Sequence, residues 1–169
     1  MANEYTLAGM TFSLKKVRYG IHSDETPDYM ADLYCGKDLI AHVSNDGHGG
    51  CTFAHWNPDK VELAKQIEAR VRKEVWITCE NGSKIYHDLG TVADEILEII
   101  ERNKFITRNQ KKGLVLEKEN EIGLYVRKYN MTIEEAVAHF PAKVKEEIAK
   151  YRAEGYTIVN TNLPAEFLQ

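Results

Sequence analysis

The chain has 169 residues, a formal net charge of −4 at pH 7 and a hydrophobic fraction of 43%. These values are those of an ordinary globular protein, and they exclude the disordered and fibrous classes. The acidic balance provides no overall positive field, so nucleic acid and anionic membrane surfaces are not expected partners. No apolar run approaches the roughly 20 residues that a membrane-spanning helix needs.

The first half of the chain predicts an antiparallel β-meander. In residues 5–22, Phe12, Leu14 and Val17 lie among polar neighbours, a pattern that indicates one or two strands with a bend. The loop that follows contains His22. Alternating apolar positions then resume and predict further strands up to residue 56.

A hairpin is predicted around Gly36-Lys37-Asp38, which we take as a three-residue loop. The register that follows pairs Cys35 with Leu39, Leu33 with Ala41, and Ala31 with Val43. This register makes one face wholly apolar, whereas a two-residue loop would mix the two faces. It also places Asp32 opposite His42 on the other face.

Helix and turn signals account for the rest of the chain. The predicted elements are a helix starting at Asn57 and Pro58, a hairpin around Asn81-Gly82, a helix capped by Thr91 and Asp94, two strands within residues 113–130, a helix capped by Thr132 and Glu135, a helix from Pro141 to Gly155, and a short strand at 156–160. We therefore predict an α+β fold in which an antiparallel meander and hairpins pack against amphipathic helices. The domain prediction is a single domain of residues 1–169, with a soft boundary near residues 108–113.

The cysteines and the N-terminal sequence favour a cytoplasmic protein. Cys35, Cys51 and Cys79 are odd in number and lack CxxC spacing, and no apolar signal segment opens the chain. We expect free thiols in a reducing compartment. Cys51 is predicted to be a small buried core residue.

The stretch "SNDGHGGCTFAHW", residues 44–56, contains the candidate site. Its predicted ligand-binding residues are Asn45, Asp46, Gly47, His48, Gly49, Gly50 and His55. The glycines permit positive φ, so successive amides can face one concavity and hold an anion. A tight hairpin turn requires the same residues for steric reasons alone. The imidazole of His48 is the part that a turn does not require, and it can contact a phosphate or a metal.

The run "ADLYCGKDLIAHVSNDGHGG" resembles, in its hairpin and N-D-G-H-G-G turn, small uncharacterised proteins of bacteriophages and bacteria over residues 29–56. The resemblance implies an origin but carries no activity. A phage origin would place the chain in the host cytoplasm, where small acidic phage proteins act by masking a host protein or by sequestering a nucleotide signal.

Three functional hypotheses follow. The preferred one is a non-catalytic binding protein that recognises a host protein or an anionic small molecule, such as a nucleotide signal, through the glycine-rich turn; it assigns no catalytic residue, metal or cofactor. The alternative is a small metal-dependent hydrolase that uses Asp46, His48 and His55, which requires these groups to converge. The third is a structural role or a homo-oligomer in which an exposed Trp56 or Trp76 anchors an interface.

Overall fold

The computed structural model describes residues 2–21, 26–119 and 121–168 and confirms the α+β class. The chain divides into two compact units, Met1–Ile100 and Glu101–Gln169. The division falls inside a helix. His22, predicted to lie in a loop, is outside the described residues.

The secondary structure follows the predicted order. The strands are β1 (Glu4–Leu7), β2 (Met10–Tyr19), β3 (Asp28–Cys35), β4 (Asp38–Asp46), β5 (Phe53–Trp56), β6 (Val75–Thr78), β7 (Lys84–Tyr86), β8 (Gly113–Lys118), β9 (Leu124–Lys128) and β10 (Tyr156–Ile158). The helices are α1 (Val61–Val71), α2 (Leu89–Asn109), α3 (Ile133–His139), α4 (Pro141–Ala153) and α5 (Ala165–Leu168), with a 3-10 helix at Pro58–Lys60 before α1. Within the described ranges, none of these helices has both the length and the apolar character to cross a membrane.

The first unit is built on a five-stranded sheet in the order β1-β2-β3-β4-β5, in which every neighbouring pair is antiparallel. Phe12, Leu33 and Val43 on one face pack in a single core with Ile67 of α1 and Ile96 of α2. Helical spacing of apolar residues gives both helices the buried stripe that this packing requires. The opposite face of the sheet carries the polar side chains of the candidate site.

The β3–β4 turn corrects the predicted loop. Cys35 pairs with Asp38, so the loop has two residues, and the predicted pairing of Cys35 with Leu39 is wrong. Three predicted pairs are confirmed: Leu33 with Ala41, Asp32 with His42, and Ala31 with Val43. The register skips Ile40, which is fully buried. Because a bulge inserts one unpaired residue, it restores the alternation that a two-residue loop would otherwise break.

The helix starts are set by capping side chains. The side chain of Asn57 accepts a hydrogen bond from the amide of Asp59, as its sequence predicts. The predicted start of α2 at Thr91 is wrong, because the helix begins at Leu89. The Asp88 carboxylate accepts from the Thr91 amide at 2.8 Å, and Thr91 Oγ1 accepts from the Asp88 amide at 2.9 Å. Asp88 is therefore the N-cap residue of α2, and Thr91 is the third residue of the helix, which completes the reciprocal cap.

The β6–β7 hairpin forms around Asn81-Gly82 as predicted, with Gly82 at φ 80°. Its large apolar side chains are between 37% and 48% exposed, and they are Val75, Trp76, Ile77, Ile85 and Tyr86. An isolated two-stranded hairpin is marginally stable in water. The exposed apolar surface of this hairpin is therefore a feature that a partner would explain.

The second unit contains a three-stranded antiparallel sheet in the order β10-β8-β9 together with α3, α4 and α5. Leu114 and Leu116 of β8 share its core with Ile133 of α3 and Val144 and Ile148 of α4. The capping box predicted from Thr132 and Glu135 is confirmed at the start of α3.

A buried asparagine and a glycine fix the start of β8. Asn160 Oδ1 accepts from the Val115 amide at 2.7 Å, and its Nδ2 donates to the Gly113 carbonyl at 3.0 Å. Gly113 lies so close to β9 that a Cβ atom would be 1.9 Å from the Arg127 carbonyl oxygen. The backbone approach at this point therefore requires glycine.

Candidate functional site

The glycine-rich turn between β4 and β5 is held by its own side chains. The Gly47 amide donates to Asn45 Oδ1 at 2.9 Å, and the His48 amide donates to Asp46 Oδ1 at 3.2 Å. The Gly49 amide donates to the hydroxyl of Thr26, which lies just before β3, at 3.2 Å. Asparagine and aspartate commonly bond to the backbone two residues on. Three of the amides that the sequence interpretation assigns to an anion are therefore already bonded within the fold.

Asn45 organises this turn and connects it to the core. It is only 6% exposed, and its Oδ1 also accepts from Thr26 Oγ1 at 2.9 Å. Its Nδ2 donates to the Gly50 carbonyl at 3.0 Å and to Thr52 Oγ1 at 3.2 Å. Thr52 Oγ1 in turn donates to Asp94 Oδ1 at 2.6 Å. Asn45 and Gly50 thus serve the scaffold of the turn.

Asp94 completes a buried polar network under the turn. The Tyr29 hydroxyl donates to Asp94 Oδ1 at 2.9 Å. Burial raises the pKa of Asp94 above its usual value, although the hydrogen bonds from Thr52 and Tyr29 favour the carboxylate. These contacts attach the turn to α2.

His48 and Cys51 are both exposed. The His48 side chain is 58% exposed, and its Nδ1 lies 3.7 Å from Asp46 Oδ1. The turn thus presents an imidazole beside a carboxylate. Cys51 is exposed, so its prediction as a core residue is wrong. It lies in the irregular segment before β5, where strand alternation does not decide burial.

His55 lies on a different surface from His48. It is the cross-strand partner of His42, on the face of the five-stranded sheet that points away from the core. Both histidines line a cleft of about 340 Å³. Its other polar lining residues are Lys16, Arg18, Asp32 and Ser44.

Asp32 is the anchor of this cleft. Asp32 is 8% exposed. Its Oδ1 lies 2.7 Å from His42 Nδ1, and its Oδ2 lies 2.8 Å from Lys16 Nζ. The contact with Lys16 is an ion pair, and the buried Oδ2 has no other partner among the described residues. The Lys16 ammonium lowers the pKa of Asp32, burial opposes it, and His42 assists. One sheltered carboxylate therefore fixes two cationic or protonatable side chains at the surface.

A bulge in β2 brings Lys16 into this position. The register of β2 with β3 shifts between Lys15 and Arg18, and Lys16 has a left-handed φ of 53°. Lys15 is the backbone partner of Asp32, yet the ammonium of Lys16 makes the ion pair. A non-glycine residue in this conformation is strained, and such strain concentrates at functional positions.

Lys16 and Arg18 are the site residues that sequence reasoning missed. The signal was the spacing of the apolar positions, which is two between Phe12 and Leu14 but three between Leu14 and Val17. An extra residue in the period of a strand indicates a bulge. The sequence did predict the pairing of Asp32 with His42, which is confirmed.

Comparison with protein-family models, with curated proteins and with solved structures finds no match to this chain. The site must therefore be judged from its geometry. In the ranges 2–21, 26–119 and 121–168, no three or more His, Cys, Asp or Glu side chains are arranged to hold a metal ion. Asp46, His48 and His55 are all described, and they do not form the ligand set that the hydrolase hypothesis requires.

Proposed function

We propose that the chain is a non-catalytic binding protein that recognises an anionic small molecule, such as a nucleotide, at the cleft on the open face of the five-stranded sheet. The observation that carries the proposal is the buried Asp32, which holds Lys16 and His42 at the cleft wall. The exposed imidazole of His48, on the glycine-rich turn, does not line this cleft.

The charge of the cleft supports an anion as the ligand. Lys16 and Arg18 give two positive charges, and Asp32 gives one negative charge, so the lining is positive even when both imidazoles are neutral. The chain as a whole is acidic. A local positive cleft on an acidic protein favours a compact anion over a long polyanion.

The use of Asp32 supports binding over catalysis. Among the described lining residues it is the one carboxylate, and both of its oxygens are engaged by Lys16 and His42. Asp32 is buried and its charge is matched by Lys16, so it serves to hold that ammonium at the cleft wall.

Lys16→Ala and Arg18→Ala are each expected to weaken the binding of pyrophosphate or 5′-AMP about tenfold. Each change removes one charge-assisted hydrogen bond to the anion, and a loss of about 1.4 kcal/mol of binding free energy corresponds to a factor of ten. Isothermal titration calorimetry on the full chain measures both affinities.

Lys37→Ala is the matched control, because Lys37 is an exposed lysine in the β3–β4 turn and does not line the cleft. It should leave the affinity unchanged. The proposal is wrong if neither probe binds saturably, or if Lys37→Ala weakens binding as much as Lys16→Ala.

A second candidate function, homo-oligomerisation, is favoured by the exposed apolar hairpin β6–β7. Ile77 and Ile85 are cross-strand partners on this hairpin, and Val75 pairs with Tyr86. The predicted anchors are each 37% exposed, but the Trp76 indole donates to Glu95 and the Trp56 indole to Glu68. Ile77 and Ile85 make no such hydrogen bonds through their side chains, so they are the better candidates for an interface. Contiguous exposed apolar residues typically mark protein interfaces.

The oligomer hypothesis predicts a concentration-dependent increase in mass that is lost when Ile77→Lys and Ile85→Lys are combined. Buried lysines without partners would oppose the association. Sedimentation equilibrium on the full chain measures this. A monomeric mass of 19.3 kDa at every concentration of the unmodified chain would exclude the hypothesis.

A further inference from the structure

A second cleft, of about 340 Å³, lies within the second unit, between the end of β9 and the helices α3 and α4. Its lining includes three cationic side chains, Arg127, Lys128 and Lys143. Small-molecule sites start at about this volume and combine apolar walls with a few convergent polar groups. It shares no lining residue with the cleft on the five-stranded sheet.

The lining of this cleft also includes four apolar residues. Ala136 and Val144 are buried at its floor, whereas Met131 is 38% and Phe140 is 52% exposed at its edge. Single exposed apolar residues are normal on protein surfaces. Here two large ones flank a concavity whose floor is also apolar, which favours a ligand with an apolar group of its own.

The one carboxylate that lines the cleft, Glu147, is already bonded within the fold. Glu147 accepts from the Tyr129 hydroxyl at 2.5 Å and from Arg127 Nη2 at 3.1 Å. Burial acts to raise the pKa of Glu147, but the bonds from Tyr129 and Arg127 outweigh it and the pKa lies below its usual value. The side chain is therefore a carboxylate at neutral pH, with its charge directed to Arg127.

Lys128 and Lys143 supply the remaining charge. Neither has an ion pair within 4.0 Å among the described residues. Three cations and one carboxylate line the cleft, which leaves a formal charge of +2 from Arg127, Lys128, Lys143 and Glu147.

We propose that this second cleft binds a small amphipathic organic anion, in which an aromatic or short aliphatic group lies against Met131 and Phe140 and a carboxylate, sulfonate or phosphate meets Lys128 and Lys143. The match is one of positive charge and exposed apolar surface within one concavity. It is independent of the function proposed for the first unit.

The test uses the full chain and a matched pair of fluorescent probes. 8-Anilinonaphthalene-1-sulfonate carries the aromatic group with an anion, and N-phenyl-1-naphthylamine carries a similar aromatic group without one. We expect the sulfonate to bind saturably with one probe per chain. Lys143→Glu should weaken it at least tenfold, and the neutral analogue should be little affected by that change.

Two controls separate this cleft from other surfaces. Lys111→Glu changes the same charge at an exposed lysine that does not line the cleft, and it should leave the sulfonate affinity within twofold. The combined Ile77→Lys and Ile85→Lys change replaces two exposed apolar side chains of the β6–β7 hairpin with charged ones. This variant should also bind the sulfonate. Loss of binding in this hairpin variant, or equal losses in Lys143→Glu and Lys111→Glu, would overturn the proposal.

A measurement on the unmodified chain removes any dependence on the folding of the variants. Addition of the sulfonate should shift the backbone amide NMR signals of residues 127–147 and leave those of residues 75–86 in place. Shifts confined to residues 75–86, or no saturable shift at all, would also contradict the site.

Discussion

Asn45→Ala is expected to lower the free energy of unfolding of the first unit by about 3 kcal/mol. Four hydrogen bonds end on this buried side chain, and they join Thr26, Gly47, Gly50 and Thr52. Alanine would leave several of these groups without a partner, and unsatisfied buried groups are costly. Urea denaturation followed by tryptophan fluorescence measures the change, because both tryptophans of the chain lie in this unit.

Asp46→Ala is the control for this result. The Asp46 side chain is 76% exposed, although it also accepts a backbone hydrogen bond in the turn. Its loss should change the unfolding free energy by less than about 1 kcal/mol, since water can replace the bond. Equal effects of the two substitutions would show that Asn45 is not the organiser of the turn.

Gly113→Ala is expected to destabilise the second unit by about 3 kcal/mol, the upper part of the range for overpacking in a rigid interior. The added Cβ would lie 1.9 Å from the carbonyl oxygen and 2.8 Å from the carbonyl carbon of Arg127. Because both atoms belong to the backbone of the paired strand, relief requires β8 and β9 to separate. Loss of amide hydrogen-exchange protection in β8 and β9 reports this directly.

Gly50→Ala provides the comparison for the glycine effect. Nothing lies within 4 Å of a Cβ at Gly50, and its φ is outside the left-handed region. The substitution should change stability by less than about 0.5 kcal/mol. If Gly113→Ala were tolerated as well as Gly50→Ala, the close approach of β8 to β9 would be wrong.

The elements that sequence analysis predicted correctly are those decided by a few neighbouring residues. The reciprocal cap of Thr132 and Glu135 and the turn at Asn81-Gly82 are set within four residues of chain. The bulge at Ile40 depends on how two strands fit each other across the turn, so regular alternation led to the wrong loop length there.

The candidate site was predictable only in part, for the same reason. The pairing of Asp32 with His42 follows from the register of one hairpin, which the apolar face fixes. The bond from the Gly49 amide to Thr26 joins residues 23 positions apart, and no local pattern predicts it. The cleft beside Phe140 depends on the packing of α4 near β9, which strand and helix periodicity do not specify.

The backbone of Lys16 has a consequence for how this chain should vary among its relatives. If the bulge were the only requirement, glycine would be the more stable residue at this position. Glycine adopts a φ near 53° freely, whereas a residue with a side chain loses about 1 kcal/mol in this conformation. What glycine lacks is the ammonium group beside Asp32. Sequences that lack the proposed anion site would be free to carry glycine or asparagine at this position, so the residue found there would report whether that proposed site is present.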